Sequence, residues 1–210
     1  EWPNELRKKL ENVIIDKFYL ASLDSPIAHS IFNPSFMRLF TFDDGSTSII
    51  SPNMYTRYTD RVVGPKEITL EKVINLSQGH YTIFDTNTVF STEKLINIPF
   101  DIKSKDFNRA TNEKKVKVFL GQALGNYIDE KDIKITEKLT QKALERLGDV
   151  LYYAHPRVSV NVENVETVQV DKCFEEEIYD LLSNYANVEV YGFYSTSLFL
   201  VKDIPGVSVH

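Results

Sequence analysis

Cysteine is nearly absent: Cys173 is the only one in 210 residues. That excludes an internal disulfide and a cysteine-rich metal site, and it fits a reducing compartment. No apolar run is long enough to span a bilayer, and the N-terminus has no signal-peptide pattern. Basic residues are in deficit, with 24 Lys and Arg against 30 Asp and Glu for a net charge of -6. This balance argues against general affinity for nucleic acid, while a local basic cleft stays open. The four histidines do not cluster at ligand spacing and no Asp-x-Asp motif occurs, which argues against a metal site. A phosphate loop of the Gly-x-x-x-x-Gly-Lys-Ser/Thr kind is missing as well.

What is present is an ordinary globular composition, 42% hydrophobic and 26% charged, in a chain long enough for one large or two small cores. Leu6, Leu10, Val13 and Ile14 repeat at helical spacing behind Pro3. Strands are predicted over 18–21, 36–42, 80–84 and 95–98, with a short helix over 70–76 and an irregular stretch over 46–66. The polar, charge-rich stretch beyond them predicts a linker over 104–115, between domains at 1–103 and 116–210. After the linker the pattern alternates regularly. Strands are expected over 116–120, 150–153, 167–170 and 188–191. Thr136 is expected to cap a helix carrying Leu139, Ala143, Leu144 and Leu147. A second helix aligns Phe174, Ile178, Leu181, Leu182 and Tyr185. Short apolar strands alternating with helices imply an α/β fold with parallel sheets.

Ligands of such sheets bind beyond the carboxyl ends of the strands, and three strings fall there. Asp43-Asp44-Gly45 follows the second strand, His155-Pro156-Arg157 follows the strand at 150–153, and Ser195-Thr196 follows the strand at 188–191. Gly121-Gln122 closes the strand at 116–120. An acidic pair can take a proton, and an imidazole can protonate or hydrogen-bond a departing phosphate near neutral pH. Each string has a plainer explanation beside it. Asp-Gly favours turns, Ser195 can simply cap a helix, and a lone histidine at a strand end is usually a satisfied surface residue. His29, His80 and His210 have no such company in the sequence.

Taken in order, these motifs resemble the bacterial sialyltransferases, in particular glycosyltransferase family 52, the lipooligosaccharide sialyltransferases. Those enzymes share an Asp/Glu-Asp/Glu-Gly motif, a His-Pro motif and a later serine pair. They correspond here to Asp43-Asp44-Gly45, His155-Pro156 and Ser195-Thr196, with threonine in place of the second serine. The stretches Phe18-Tyr19-Leu20-Ala21-Ser22, Val118-Phe119-Leu120-Gly121-Gln122 and Gly192-Phe193-Tyr194-Ser195-Thr196-Ser197-Leu198 also resemble the family. Its members begin with a strand and helices that would precede Glu1, so the N-terminal domain is expected to be incomplete.

The resemblance implies a GT-B architecture of two Rossmann-like domains with a cleft between them. It further implies inverting, metal-independent transfer of sialic acid from CMP-sialic acid to a terminal galactose of a surface glycan, with no cofactor. Asp43 is the expected base, with Asp44 orienting it and Asp129 as a rival. His155, presented by Pro156, would assist CMP departure. Gly45 would let the backbone approach the sugar, and Arg157 would add a cation. Ser195 and Thr196 would hold the phosphate, and Gln122 the base or phosphate. One of Glu175, Glu176 and Glu177 would hold the ribose, with Glu176 no better placed than Glu175. The alternatives are a GT-B transferase using another nucleotide sugar and a non-catalytic glycan- or nucleotide-binding fragment. The expected setting is cytoplasmic; peripheral attachment to the inner membrane and a homodimer are further expectations.

Overall fold

A computed structural model describes residues 5, 8–10, 12–21, 23, 25, 31–32, 37–46, 48–49, 62–63, 68–99, 107–122, 130–155, 160–169 and 171–210. The chain divides into two compact units, Glu1–Phe100 and Asp101–His210. Each is α/β and built on a parallel sheet.

In the first unit β1 (Lys17–Leu20), β2 (Arg38–Phe42), β5 (Ser77–Thr82) and β6 (Leu95–Asn97) lie side by side in chain order. Two short strands, β3 (Val62–Val63) and β4 (Ile68–Thr69), pair antiparallel apart from it, inside and beyond the stretch expected to be irregular. Strand alternation sends Phe18, Leu20 and Leu39 to one face, where they pack with Leu23, Phe32, Leu70, Val73 and Phe90. Leu70 and Val73 come from helix α1 (Leu70–Leu76), whose first turn is capped by Thr69 Oγ1 accepting from Lys72 N at 3.2 Å. Lys94 Nζ donates to Ile74 O and Asn75 O at the other end of α1, satisfying carbonyls that the helix leaves unpaired.

The pairing of β2 with β5 is irregular. Leu39 pairs with Ser77, but its neighbour Phe40 pairs with Gly79, so β5 carries one extra residue against β2. Three residues apart, Ser77 and His80 would point to opposite faces of a regular strand. The bulge turns both to the packed face, where both are buried.

In the second unit the order is β11 (Val207–Val209), β10 (Asn187–Tyr191), β7 (Lys115–Leu120), β8 (Leu151–Tyr153), β9 (Glu166–Val168). All neighbours are parallel. The chain starts this sheet at its centre, winds outward through β8 and β9, then returns to the other side with β10 and β11. Helices α3 (Phe174–Asn184) and α4 (Thr196–Val201) pack on one face against Val118, Leu120, Val188 and Val190. Helix α2 (Glu130–Leu147) packs on the other face through Leu144 and Leu147, against Phe119, Val150 and Tyr152. Residues before β7 run along this unit, with Ala110 N donating to Leu182 O and Asn112 Nδ2 to Asn184 O.

The expected start of α2 is corrected. The helix begins at Glu130, and Thr136 lies inside it, 1% exposed, rather than capping it. Its hydroxyl donates to Asp132 O at 2.8 Å, four residues back, so a β-branched residue that reads as a cap is satisfied within the helix. The apolar spacing of α3 behaves as expected, with Ile178, Leu181 and Leu182 buried. No helix among the described residues is long and apolar enough to cross a membrane.

Candidate functional site

Chemistry-bearing residues gather at one sheet edge in each unit. In the second unit the strand order reverses at β7, which has β8 on one side and β10 on the other. The carboxyl end of such a strand opens a crevice, because the connections leave it in opposite directions. Gly121 and Gln122 leave β7 at this point, Ala154 and His155 leave β8, and Gly192 to Ser195 leave β10.

Close contacts tie the three strand ends together. Gly121 N donates to Tyr153 O at 2.7 Å, and Tyr194 N donates to Gln122 Oε1. A side chain at 121 would put its Cβ 2.6 Å from the Tyr152 hydroxyl oxygen and 3.0 Å from His155 N, so only glycine lets β7 and β8 come this near. Phe119 and Phe193 meet edge to face at 5.5 Å beneath the turn. Gln122 is buried, and its side-chain carbonyl oxygen is a strut for the β10 loop. His155 is half-buried just past β8. Ser195 caps α4, its hydroxyl accepting from Ser197 N at 3.3 Å, and Thr196 opens that helix.

The structure thus brings Gln122, His155, Ser195 and Thr196 to adjacent strand ends. Glu175 and Glu176 lie in the first turn of α3. Their neighbour Glu177, the third of the trio, is the one engaged with the sheet. It accepts from Tyr153 Oη and Lys172 Nζ, each at 3.0 Å. Burial first, and then the Glu177 carboxylate, push the Tyr153 hydroxyl well above the usual tyrosine range. Asp129, Pro156 and Arg157 lie outside the described residues.

The acidic corner belongs to the first unit. Asp43 leaves β2 at its carboxyl end and ties itself to β5, its backbone N donating to Tyr81 O at 3.2 Å. Its carboxylate is enclosed. Oδ1 accepts from Ser48 Oγ at 2.5 Å and from His80 Nε2 at 3.0 Å, and Oδ2 accepts from Ile83 N at 3.3 Å. Burial pushes this carboxyl up, but hydrogen bonds from His80, Ser48 and Thr82 and the nearness of the imidazole outweigh it, leaving it below the usual aspartate value. Asp44 is exposed, and Gly45 turns with φ 71°, a left-handed conformation that glycine adopts without strain.

His80 corrects the sequence reading directly. It is not without company: it is 2% exposed and bonded to Asp43, the first residue of the acidic motif. The available signal was polar residues alternating along a strand, His80 and Thr82 with Thr41 opposite, where apolar ones belong on a packed face. Among the described residues no group of three or more His, Cys, Asp or Glu side chains is arranged to hold a metal ion.

Comparison with known proteins identifies the family of the chain. The chain is 26% identical over 216 residues to an N-acetyllactosaminide alpha-2,3-sialyltransferase of Haemophilus influenzae, covering 98% of this chain and 67% of that protein. It is 24% identical over 233 residues to the protein of the same name from Neisseria meningitidis serogroup A, covering 99% of this chain and 59% of that protein. The chain therefore spans about two thirds of the first relative's length and less of the second's. A family model matches residues 4–210, nearly the whole chain, and on that match the chain belongs to glycosyltransferase family 52.

Proposed function

We propose that this chain carries the core of a sialyltransferase, moving sialic acid from CMP-sialic acid to a terminal galactose of a surface glycan. The observation that carries the reading is the meeting of Gly121-Gln122, His155 and Ser195-Thr196 at the reversal point of the second sheet. In the GT-B organisation proposed with it, the nucleotide falls to the second unit and the acceptor to the first. The names of the two sialyltransferase relatives support the choice of sugar.

The reaction needs a base for the acceptor hydroxyl, a bond from that oxygen to the anomeric carbon, and release of the phosphate on the opposite side. Such a displacement inverts the centre. It needs no metal if protein groups take up the phosphate charge. His155 would give its proton to the departing CMP phosphate, with the hydroxyls of Ser195 and Thr196 and the Gln122 amide as donors to the same group. Glu175 or Glu176 would hold the ribose hydroxyls, and Pro156 and Arg157 would shape and charge the His155 turn. The base comes from the acidic motif, Asp43 or Asp44 beside Gly45, or from Asp129.

The test is transfer from CMP-sialic acid to lactose by the wild-type protein and by His155→Ala. Loss of the imidazole is expected to slow transfer by roughly 10²–10⁴-fold with an unchanged unfolding midpoint. CMP is expected to inhibit, and UDP or GDP is not. Full activity in His155→Ala would sink the proposal, and inhibition by UDP rather than CMP would move it to another nucleotide sugar.

A further inference from the structure

The packed face of the first sheet holds a continuous polar chain that ends on the acidic motif. Ser77 Oγ donates to Gly79 O at 2.9 Å, Thr41 Oγ1 lies 2.9 Å from Ser77 Oγ, and His80 Nδ1 lies 2.9 Å from Thr41 Oγ1. His80 Nε2 then reaches Asp43 Oδ1 at 3.0 Å. Thr41, Ser77, His80 and Ser48 are all under 5% exposed, so water does not supply missing partners.

The protons along this chain can be counted. Ser77 spends its one hydrogen on the Gly79 carbonyl, so Thr41 must donate to Ser77. Thr41 then has only its oxygen left, so His80 Nδ1 must carry a hydrogen. Nε2 must carry another to bond an ionised Asp43. All four contacts are hydrogen bonds at once only when Nδ1 carries a hydrogen and a second proton lies between Nε2 and Asp43 Oδ1, which with an ionised Asp43 is an imidazolium facing a carboxylate. Phe90 stacks flat on that ring, with centroids 4.2 Å apart at 13°, and fixes its plane.

The far side of Asp43 is equally fixed. Ser48 binds the same carboxylate oxygen, and Ser48 O in turn accepts from Thr88 N at 2.7 Å and Thr88 Oγ1 at 3.1 Å. Asp43 and Ser48 are therefore tied together by one carboxylate, with the exposed Asp44 and the left-handed Gly45 following Asp43.

We infer that His80 and Asp43 are a positioning pair: they clamp the base of the turn and present Asp44 to the acceptor, and Asp43 itself does not take the acceptor proton. The carboxylate oxygens of Asp43 already accept from Ser48, His80 and Ile83 on the buried side of the turn, whereas the neighbouring Asp44 lies on its exposed side. The inference rests on the transferase reading for the identity of the acceptor. The clamp itself rests on geometry alone.

The experiment uses the full chain with lactose as acceptor probe, read by titration as well as by turnover. In His80→Leu, lactose affinity and the acceptor KM are expected to weaken about tenfold or more, while the KM for CMP-sialic acid stays within twofold. His80→Gln places an amide donor where Nε2 stood and is expected to restore most of the loss. Imidazole nitrogen NMR is expected to show both His80 nitrogens protonated, and to change in Asp43→Asn. Asp44→Asn is expected to reduce turnover more than Asp43→Asn. Three results would each overturn the inference: donor and acceptor constants moving together with the melting midpoint, no rescue by glutamine, or a His80 spectrum indifferent to Asp43→Asn. Failure of the wild type to use CMP-sialic acid while lactose titration and the nitrogen spectrum behave as stated would overturn the donor reading and leave the clamp standing.

Discussion

The two parallel sheets place their reactive groups by different means. In the five-stranded sheet the winding reverses at β7, helices cover both faces, and apolar clusters lie on each side. Its candidate residues, the buried Gln122 apart, stand clear of the core, on loops and a helix start that topology directs into one crevice. The four described strands of the other sheet follow chain order without a reversal, and their apolar cluster lies on one face. Here the polar groups sit inside the packed face, in the row Leu20, Thr41, His80, Leu95 that runs across the sheet in register. Crevices arise from strand order alone. A buried polar row has to be satisfied bond by bond, because each unpaired member in a low-dielectric interior is strongly destabilising.

The largest stability effect expected is in the two-faced sheet. Leu182 is fully buried between α3 and the sheet, and Leu182→Ala should cost about 2–5 kcal/mol from lost transfer energy and the cavity left behind. Urea unfolding followed by circular dichroism measures it. A loss below about 1 kcal/mol would mean that α3 is loosely seated, which the burial of Ile178, Leu181 and Leu182 argues against.

A smaller effect separates the sheets by pH. The folded-state pKa of Asp43 lies below the ordinary aspartate value of 3.8. Its stabilising contribution is therefore complete above the unfolded value and lost as pH falls through the folded one. In the second unit burial raises the hydroxyls of Tyr152 and Tyr153 from the ordinary tyrosine value of 10.0. Their contribution is present below the unfolded value and lost as pH rises past it toward the folded one. Stability against pH should accordingly fall at the acid end through the first unit and at the alkaline end through the second. In Asp43→Asn the acid limb should flatten while the alkaline limb stays put. If both limbs moved together, the two units would not be independent in their electrostatics.

Much of this was legible in the sequence, and the failures have physical causes. Apolar alternation predicts β7, β8, β10 and the buried face of α3, because burial on both sides leaves little choice of residue. The strand-end placement of Asp43, His155 and Ser195 follows from those strands. The clamp was not legible. Ser77 and His80 share a face only because β5 gains a residue against β2, and the one letter that hints at this bulge, Gly79, equally suits a turn. Thr136 misled for a related reason: a threonine hydroxyl serves a cap or an interior carbonyl equally well. Glu177 stood undistinguished among three consecutive glutamates, and the positions of Tyr153 and Lys172 single it out.

The smallest effect belongs to the outer face of the first sheet. Tyr19, Phe40 and Tyr81 form an aromatic group there, with Tyr19 stacked on Phe40 at a centroid distance of 5.4 Å. Yet Tyr19 is 49% exposed and Phe42 40%, so half of the transfer energy a buried aromatic would contribute is never gained. Tyr19→Ser should change stability by no more than about 0.5–1 kcal/mol, the remainder of a ring stack in water. The same unfolding measurement serves. A loss near the Leu182→Ala value would show this face to be covered in the folded chain, and the contrast between a two-faced and a one-faced sheet would fall with it. A loss within the stated range would leave the cluster of Leu20, Leu39, Leu70 and Val73 as the main apolar support of this sheet among the described residues.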